Sequence, residues 1–195
     1  MSLTSKLTAI GNAIRSKTGE SALLSLDDMA TAISGIQDRT IENSIIDKSI
    51  SGDYVNDDVT EIGLYTFVGC RSLETVSFPK VTTVGQNSFG SGAAASALIA
   101  LTAAHFPVAE DIETAAFRKA TSLEALVMDQ ITAVPTLANT NAFQDTLIAA
   151  GTGYIYVPDA LVNQVKTETN WSTFAAQIKG MSDCPQTYKT KFGIS

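Results

Sequence analysis

The chain has 195 residues, 45% of them hydrophobic and 17% charged, a balance within the globular range that argues against a mainly disordered or fibrous protein. Its formal net charge of -7 opposes attraction to phosphate backbones and anionic lipid, and no Lys/Arg cluster offsets it locally, so nucleic acid is not an expected partner. Cys70 and Cys184 are far apart and His105 is the only histidine, which excludes a disulfide framework and a His-rich metal site and leaves one ring around which a Ser-His-Asp or Cys-His pair could form.

The first residues, MSLTSKLTAIGNAIRSK, carry polar or charged side chains every few positions and lack the unbroken apolar run of a signal peptide. No window of about 18 apolar residues could span a bilayer, so neither Sec export nor membrane insertion is expected. Leu3, Leu7, Ile10 and Ile14 recur at helical steps and form one stripe, which Gly19 ends. Ser25 and Asp28 form a shortened capping box that opens a second helix bearing Leu26, Met29, Ile33 and Ile36. Residues 1–37 are thus predicted to form a helical hairpin. Each helix is about three turns, a length at which isolated helices are marginal in water, so the stripes need one another or a partner chain. The hairpin is either a cap folded onto the rest or an oligomerisation and docking module.

Between Asp38 and Asp58 the pattern shifts to the β-branched runs Ile45-Ile46 and Ser49-Ile50, interrupted by the polar turns Ser51-Gly52-Asp53 and Asn56-Asp57-Asp58. A repeat follows. Val59, Ile62, Gly63 and Phe67 are matched 22 residues on (81 minus 59) by Val81, Val84, Gly85 and Phe89, and Ile112 with Phe117 repeats the five-residue step. Leu73, Val76, Phe78 and Pro79 continue the first copy; Leu101, Ala104, Phe106 and Pro107 answer in the second, then Leu123, Leu126 and Met128 in the third.

Copies start at Val59, Val81, Ala109 and Ile131, spaced by 22, 28 and 22 residues (81 minus 59, 109 minus 81, 131 minus 109). The second copy's extra residues fall within the small-residue stretch from Gly90 to Ala100. The fourth copy is degenerate, keeping Ile131, Val134 and Phe143 and ending in a strand over Tyr154 to Pro158. A period in the twenties with Leu-x-x-Leu-x-Leu spacing predicts an α+β leucine-rich-repeat solenoid of about four repeats over residues 38–158. Phe67, Phe89, Phe117 and Phe143 would form one internal ladder, and Leu73, Leu101 and Leu123 another.

A solenoid's open end must be covered. Residues 159–195 are predicted to do so with a short helix on Leu161, Val162 and Val165 and a second on Phe174, Ala175 and Ile178, ending at Gly180. The last residues, SDCPQTYKTKFGIS, have no period and read as a surface tail or a contact with another chain.

The central region resembles the BspA-like leucine-rich repeat family in Ile62-Gly63, Phe67, Cys70, Leu73, Val76 and Phe78-Pro79. The terminal segments look like the opening and closing modules attached to such repeats in tail-associated proteins of phages and prophages of Gram-positive bacteria. The resemblance implies a non-enzymatic virion structural protein of tail, baseplate or fibre, assembled in the host cytoplasm. The expected partners are other virion proteins, further copies of the chain, and a host cell-surface glycan or protein. A bacterial cell-surface adhesion module of the same repeat family is the alternative.

Candidate chemistry is sparse, and no catalytic, cofactor or metal site is expected. Asp27-Asp28, Asp57-Asp58 and Glu110-Asp111 are adjacent carboxylates, but sequence neighbours point apart on strands and helices alike, so they read as turns or caps rather than a glycosidase pair. The run from Asp53 to Asp58 lacks the order and distal Glu of a calcium loop, and Gly151-Thr152-Gly153 lacks the rest of a nucleotide-binding motif. Cys70 reads as a small packed hydrophobe. Strand alternation turns Thr75, Ser77, Ala103, His105, Ala125 and Val127 outward, predicting an exposed, weakly polar binding face with His105 as a surface histidine. That face has no aromatic platform for sugars, for which Tyr54, Tyr65, Tyr154 and Tyr156 outside it are better suited.

Overall fold

Each copy of the repeat supplies two short extended runs, and each run pairs with its counterpart in the next copy. The computed structural model describes residues 48–90 and 97–195, which belong to the second of two units into which the chain divides, residues 1–44 and 45–195. The predicted hairpin, its stripe and the Ile45-Ile46 run lie outside the described residues, as do residues 91–96 of the small-residue insertion.

The larger sheet has the order β1 (Ser51–Val55), β3 (Ser72–Ser77), β5 (Ala103–His105), β7 (Ala125–Val127), β9 (Tyr154–Val157) and β10 (Ile178–Gly180). The smaller has β2 (Glu61–Ile62), β4 (Thr83–Val84), β6 (Asp111–Ile112) and β8 (Thr136–Leu137). All of these pairings are parallel, as demanded when like segments from successive copies lie side by side. Val76 faces Ala104, which faces Leu126, offsets of 28 and 22 residues (104 minus 76, 126 minus 104). The two α-helices among the described residues, α1 (Val162–Thr167) and α2 (Gln186–Phe192), are short and both follow β9.

This arrangement is α/β in type and corrects the predicted α+β leucine-rich solenoid with its helical end cap. The return segment of each copy forms a strand of a second parallel sheet, and the C-terminal region adds a strand where a helix was expected. Trp171–Phe174 is a single 3-10 turn, and Ile178 then pairs with Ile155 as part of β10. The turn is held because Trp171 is buried and its indole N–H donates to Pro135 O at 2.7 Å.

Two further boundaries differ from expectation. Ser51-Gly52-Asp53, predicted as a turn, opens β1 and pairs with β3 across a register shift at Gly52, whose φ of 69° suits glycine. In the fourth copy the residue facing Ile112 is Leu137, not Val134, which is only partly buried. The reason is Pro135, which has no N–H to donate, so pairing begins at Thr136. Its N–H donates to Glu110 O at 2.7 Å.

The core lies between the sheets. Phe67, Phe89, Phe117 and Phe143 stack with centroids 4.8, 5.3 and 5.7 Å apart and planes within 9° of parallel. Phe78 and Phe106 form a second stack at 5.5 Å, set edge-on to the first. Pairs of this kind contribute about 0.5–1.5 kcal/mol each beyond the area they bury. Tyr54 covers one end of the rows, 5.7 Å from Phe67, and Phe174 and Trp171 cover the other against Phe143. Ile62, Cys70, Leu73, Val76, Val84, Leu101, Ile112, Leu123 and Leu126 fill the spaces between. Gly85 allows the close approach of two copies, since a Cβ there would sit 2.3 Å from Ile62 O.

Candidate functional site

Parallel pairing lines the outward side chains of the large sheet into two rows. One runs Asp53, Thr75, Ala103, Ala125, Tyr154, and the other Val55, Ser77, His105, Val127, Tyr156. The alternation places Thr75, Ser77, Ala103, His105, Ala125 and Val127 together on this face, but the face is not exposed as predicted. Each of the six is at most 6% exposed, because the C-terminal residues lie across them.

The covering segment, read from the sequence as a surface tail or a contact with another chain, is a built element that packs on its own sheet. Met181–Asp183 forms a 3-10 turn, Cys184 tucks against the sheet, Pro185 is the N-cap of α2, and Gly193 ends it in the left-handed conformation. Ile194 N–H reaches back to Lys189 O at 2.8 Å, the bonding of a Schellman end. Tyr188 and Phe192, four residues apart, share one face of α2. The small Ala103 and Ala125 form the trough into which that face settles, with Val127 and Tyr156 beside them.

Polar contacts fix the register of the strap. Lys191 Nζ donates to both oxygens of Asp53, at 2.9 and 3.1 Å, and Thr75 donates to the same carboxylate at 2.6 Å. Those hydrogen bonds, Thr75 first, hold the Asp53 carboxyl below its usual range. Tyr188 O–H donates to Glu124 at 2.5 Å. Burial, followed by that bond, raises the Tyr188 phenol, and burial pushes Tyr156 up to about 12. Burial also raises the Cys184 thiol.

Beneath the strap His105 is a buried residue rather than a surface one. Its Nε2 lies 2.8 Å from Asp129 Oδ1 and its Nδ1 2.9 Å from Ser77 Oγ, while Phe192 stacks on the ring at 4.8 Å. A carboxylate only accepts, so Nε2 carries the proton and, in the neutral ring, Nδ1 accepts from Ser77. Burial alone would raise the Asp129 carboxyl, but the hydrogen bond and electrostatic attraction of His105, with hydrogen bonds from the Asp129 backbone and Gln130, give a net downward shift.

This Ser77–His105–Asp129 line has the residue types of an acyl-transfer triad without the rest of its equipment. Ser77 Oγ is covered, and the adjacent N–H of Phe78 is spent on His105 O at 3.0 Å, so it cannot act as an oxyanion donor. In this arrangement the line joins β3, β5 and the turn that follows β7. A cavity of about 390 Å³ opens beside it, lined by Asp129, Met181, Lys189 and Ser195 among others. Among the described residues no group of three or more His, Cys, Asp or Glu is placed to hold a metal ion, and no helix is long and apolar enough to cross a membrane.

Among the described residues, the smaller sheet has the less covered outer face. Its outward row is Glu61, Thr83, Asp111 and Thr136, with Ile62, Val84, Ile112 and Leu137 alternating inward. Leu64 and Tyr65 stand beside this row, 59% and 51% exposed, in the turn after β2. Comparison of the chain with protein-family models and with curated proteins found no match to either.

Proposed function

We propose that the chain is a non-enzymatic structural and binding protein of a phage virion, built into a tail, baseplate or fibre and assembled in the host cytoplasm with other virion proteins and further copies of itself. The observation that carries this reading is the use to which the family-like residues are put. Ile62, Phe67, Cys70, Leu73, Val76 and Phe78 are all at most 3% exposed, so the motif is spent on packing successive copies together and not on a reactive pocket. Work is then left to outward-facing residues. With the larger face covered by the strap, the surface that remains for a host glycan or protein is the Glu61–Thr83–Asp111–Thr136 row. Its hydroxyl and carboxylate groups are hydrogen-bonding partners for sugar hydroxyls, and Tyr65 supplies an exposed ring beside them.

Mass spectrometry of purified particles, with immunogold labelling to find the end on which the chain lies, tests the proposal. A chain present at one end of the particle in stoichiometric amount supports it. A chain missing from particles and displayed on the bacterial surface overturns it in favour of an adhesion module.

A further inference from the structure

The strap is held by a surface that it covers far better than it is itself covered. None of the seven residues of α2 is buried, although the sheet residues beneath them are. A helix of that length does not sustain itself in water, so its structure depends on its seat and it belongs to the part of the fold that opens most readily. Opening leaves Ala103, Ala125, Val127 and Tyr156 uncovered, an apolar strip that favours a replacement occupant.

We propose that this face also accepts residues 181–195 of a second copy, so that two molecules exchange their C-terminal straps. The requirements of the seat are specific: an aromatic pair at helical spacing for the Ala103/Ala125 trough and the His105 ring, a cation in reach of Asp53, and a phenol in reach of Glu124. A second copy meets all of them by identity, with the same contacts made in trans. Charge favours the same occupant. Lys189 and Lys191 make α2 a cationic segment in a chain of net charge -7, and the seat carries Asp53, Glu124 and Asp129. The strap of the same chain is tethered directly to β10, which favours the intramolecular seat, so exchange appears as protein concentration rises or where copies are held side by side.

The Lys191–Asp53 ion pair supplies a test on the unmodified full chain. A carbodiimide joins an amine to a carboxylate in contact with it, so protein labelled with heavy nitrogen is mixed with unlabelled protein, left to exchange at a series of concentrations, cross-linked and digested. Exchange predicts linked Asp53–Lys191 peptides that are unmixed in isotope at low concentration. The mixed form rises toward about half of the interchain links at high concentration, the statistical value for random pairing of two equal pools. Linked peptides that stay unmixed at every concentration overturn the proposal. Mixed links from Lys191 must also favour Asp53 several-fold over exposed carboxylates outside the seat, such as Asp57 and Asp145; mixed links spread evenly over all three mark chance collision and overturn it equally.

Discussion

Phe192 lies over His105 with ring centroids 4.8 Å apart and planes 21° from parallel, which ties the last helix of the chain to the middle of the larger sheet. Cys184, buried on the same segment, becomes a reporter of that tie, since its thiol must leave the sheet to react and burial raises its pKa. Phe192→Ala is expected to raise the alkylation rate of Cys184 by about tenfold, the factor that corresponds to ~1.4 kcal/mol in the opening equilibrium. Cys70, fully buried in the main core, should label no faster. Peptide mass spectrometry of alkylated protein reads both sites, and equal acceleration at the two would mean global unfolding instead of strap opening.

Alkaline pH should release the strap before it unfolds the core. Tyr156 and Tyr188 both have raised pKa values, so the folded state favours their neutral forms. Their contribution is fully present below the ordinary 10.0 and is lost as pH rises through the folded values, for Tyr156 between 10.0 and about 12. Cys184 labelling, corrected for thiolate fraction, should therefore climb above pH 10.0 while far-ultraviolet dichroism stays constant. In Tyr188→Phe the strap is looser at neutral pH, because the bond to Glu124 is gone, and the alkaline climb is shallower. A wild-type profile that is flat across this range would refute the assignment.

The aromatic rows make the main core depend on its middle more than on its ends. Phe89 has four aromatic neighbours, Phe67, Phe78, Phe106 and Phe117, at 4.8 to 6.3 Å, whereas Phe174 has only Phe143 among the described residues. Phe89→Ala should cost about 3–5 kcal/mol, the upper part of the range for large-to-small core changes, and Phe174→Ala less. Urea denaturation followed by Trp171 fluorescence measures both.

How much of this was legible in the sequence depended on how far apart the deciding residues lie. The 22- and 28-residue offsets between Phe67, Phe89 and Phe117 are offsets of the strand registers as well, because like segments pair in parallel. Alternation also sorted Thr75, Ser77 and His105 to the outer side correctly, but outward is not the same as exposed. What covers them is a segment whose contacts reach from Lys191 back to Asp53, across 138 residues. The helix in that segment had readable signals: Pro185 at its start, Tyr188 and Phe192 at helical spacing, Gly193 at its stop. Its docking site had none, since two alanines on separate strands carry no period. The repeat spacing points to Val134, but it takes no account of the missing N–H of Pro135, after which Leu137 takes the paired position. The fold class was missed because the return segments were read as solenoid coils closed by helices, whereas they pair as a second parallel sheet.

Ser88 offers a stabilising change. Its backbone O accepts from Phe67 N–H, the same bond that Ala116 and Ala142 make to Phe89 and Phe117 in the following copies, yet its buried hydroxyl has no hydrogen-bond partner among the described residues. Leaving such a group unsatisfied costs roughly 1–3 kcal/mol. Ser88→Ala, which installs the residue already used at the equivalent places, should raise stability by about 1 kcal/mol in a denaturant titration. A loss of stability would indicate that the hydroxyl is bonded in solution.

Tyr65 separates the demands of folding from those of binding. Tyr65, Asn87 and Ala115 occupy the same turn in successive copies, and all have positive φ, at 59°, 52° and 58°. Asparagine tolerates that region, whereas a tyrosine pays roughly 1–2 kcal/mol for it through contact of Cβ with the next carbonyl. The Tyr65 ring is half exposed, in the turn that follows the strand bearing Glu61. Tyr65→Asn should therefore stabilise the fold by about 1 kcal/mol. If the row is the binding surface proposed above, the same variant should lose adsorption to host cells when built into particles. A variant that is both more stable and fully adsorbing would keep the strain argument and remove Tyr65 from the binding surface.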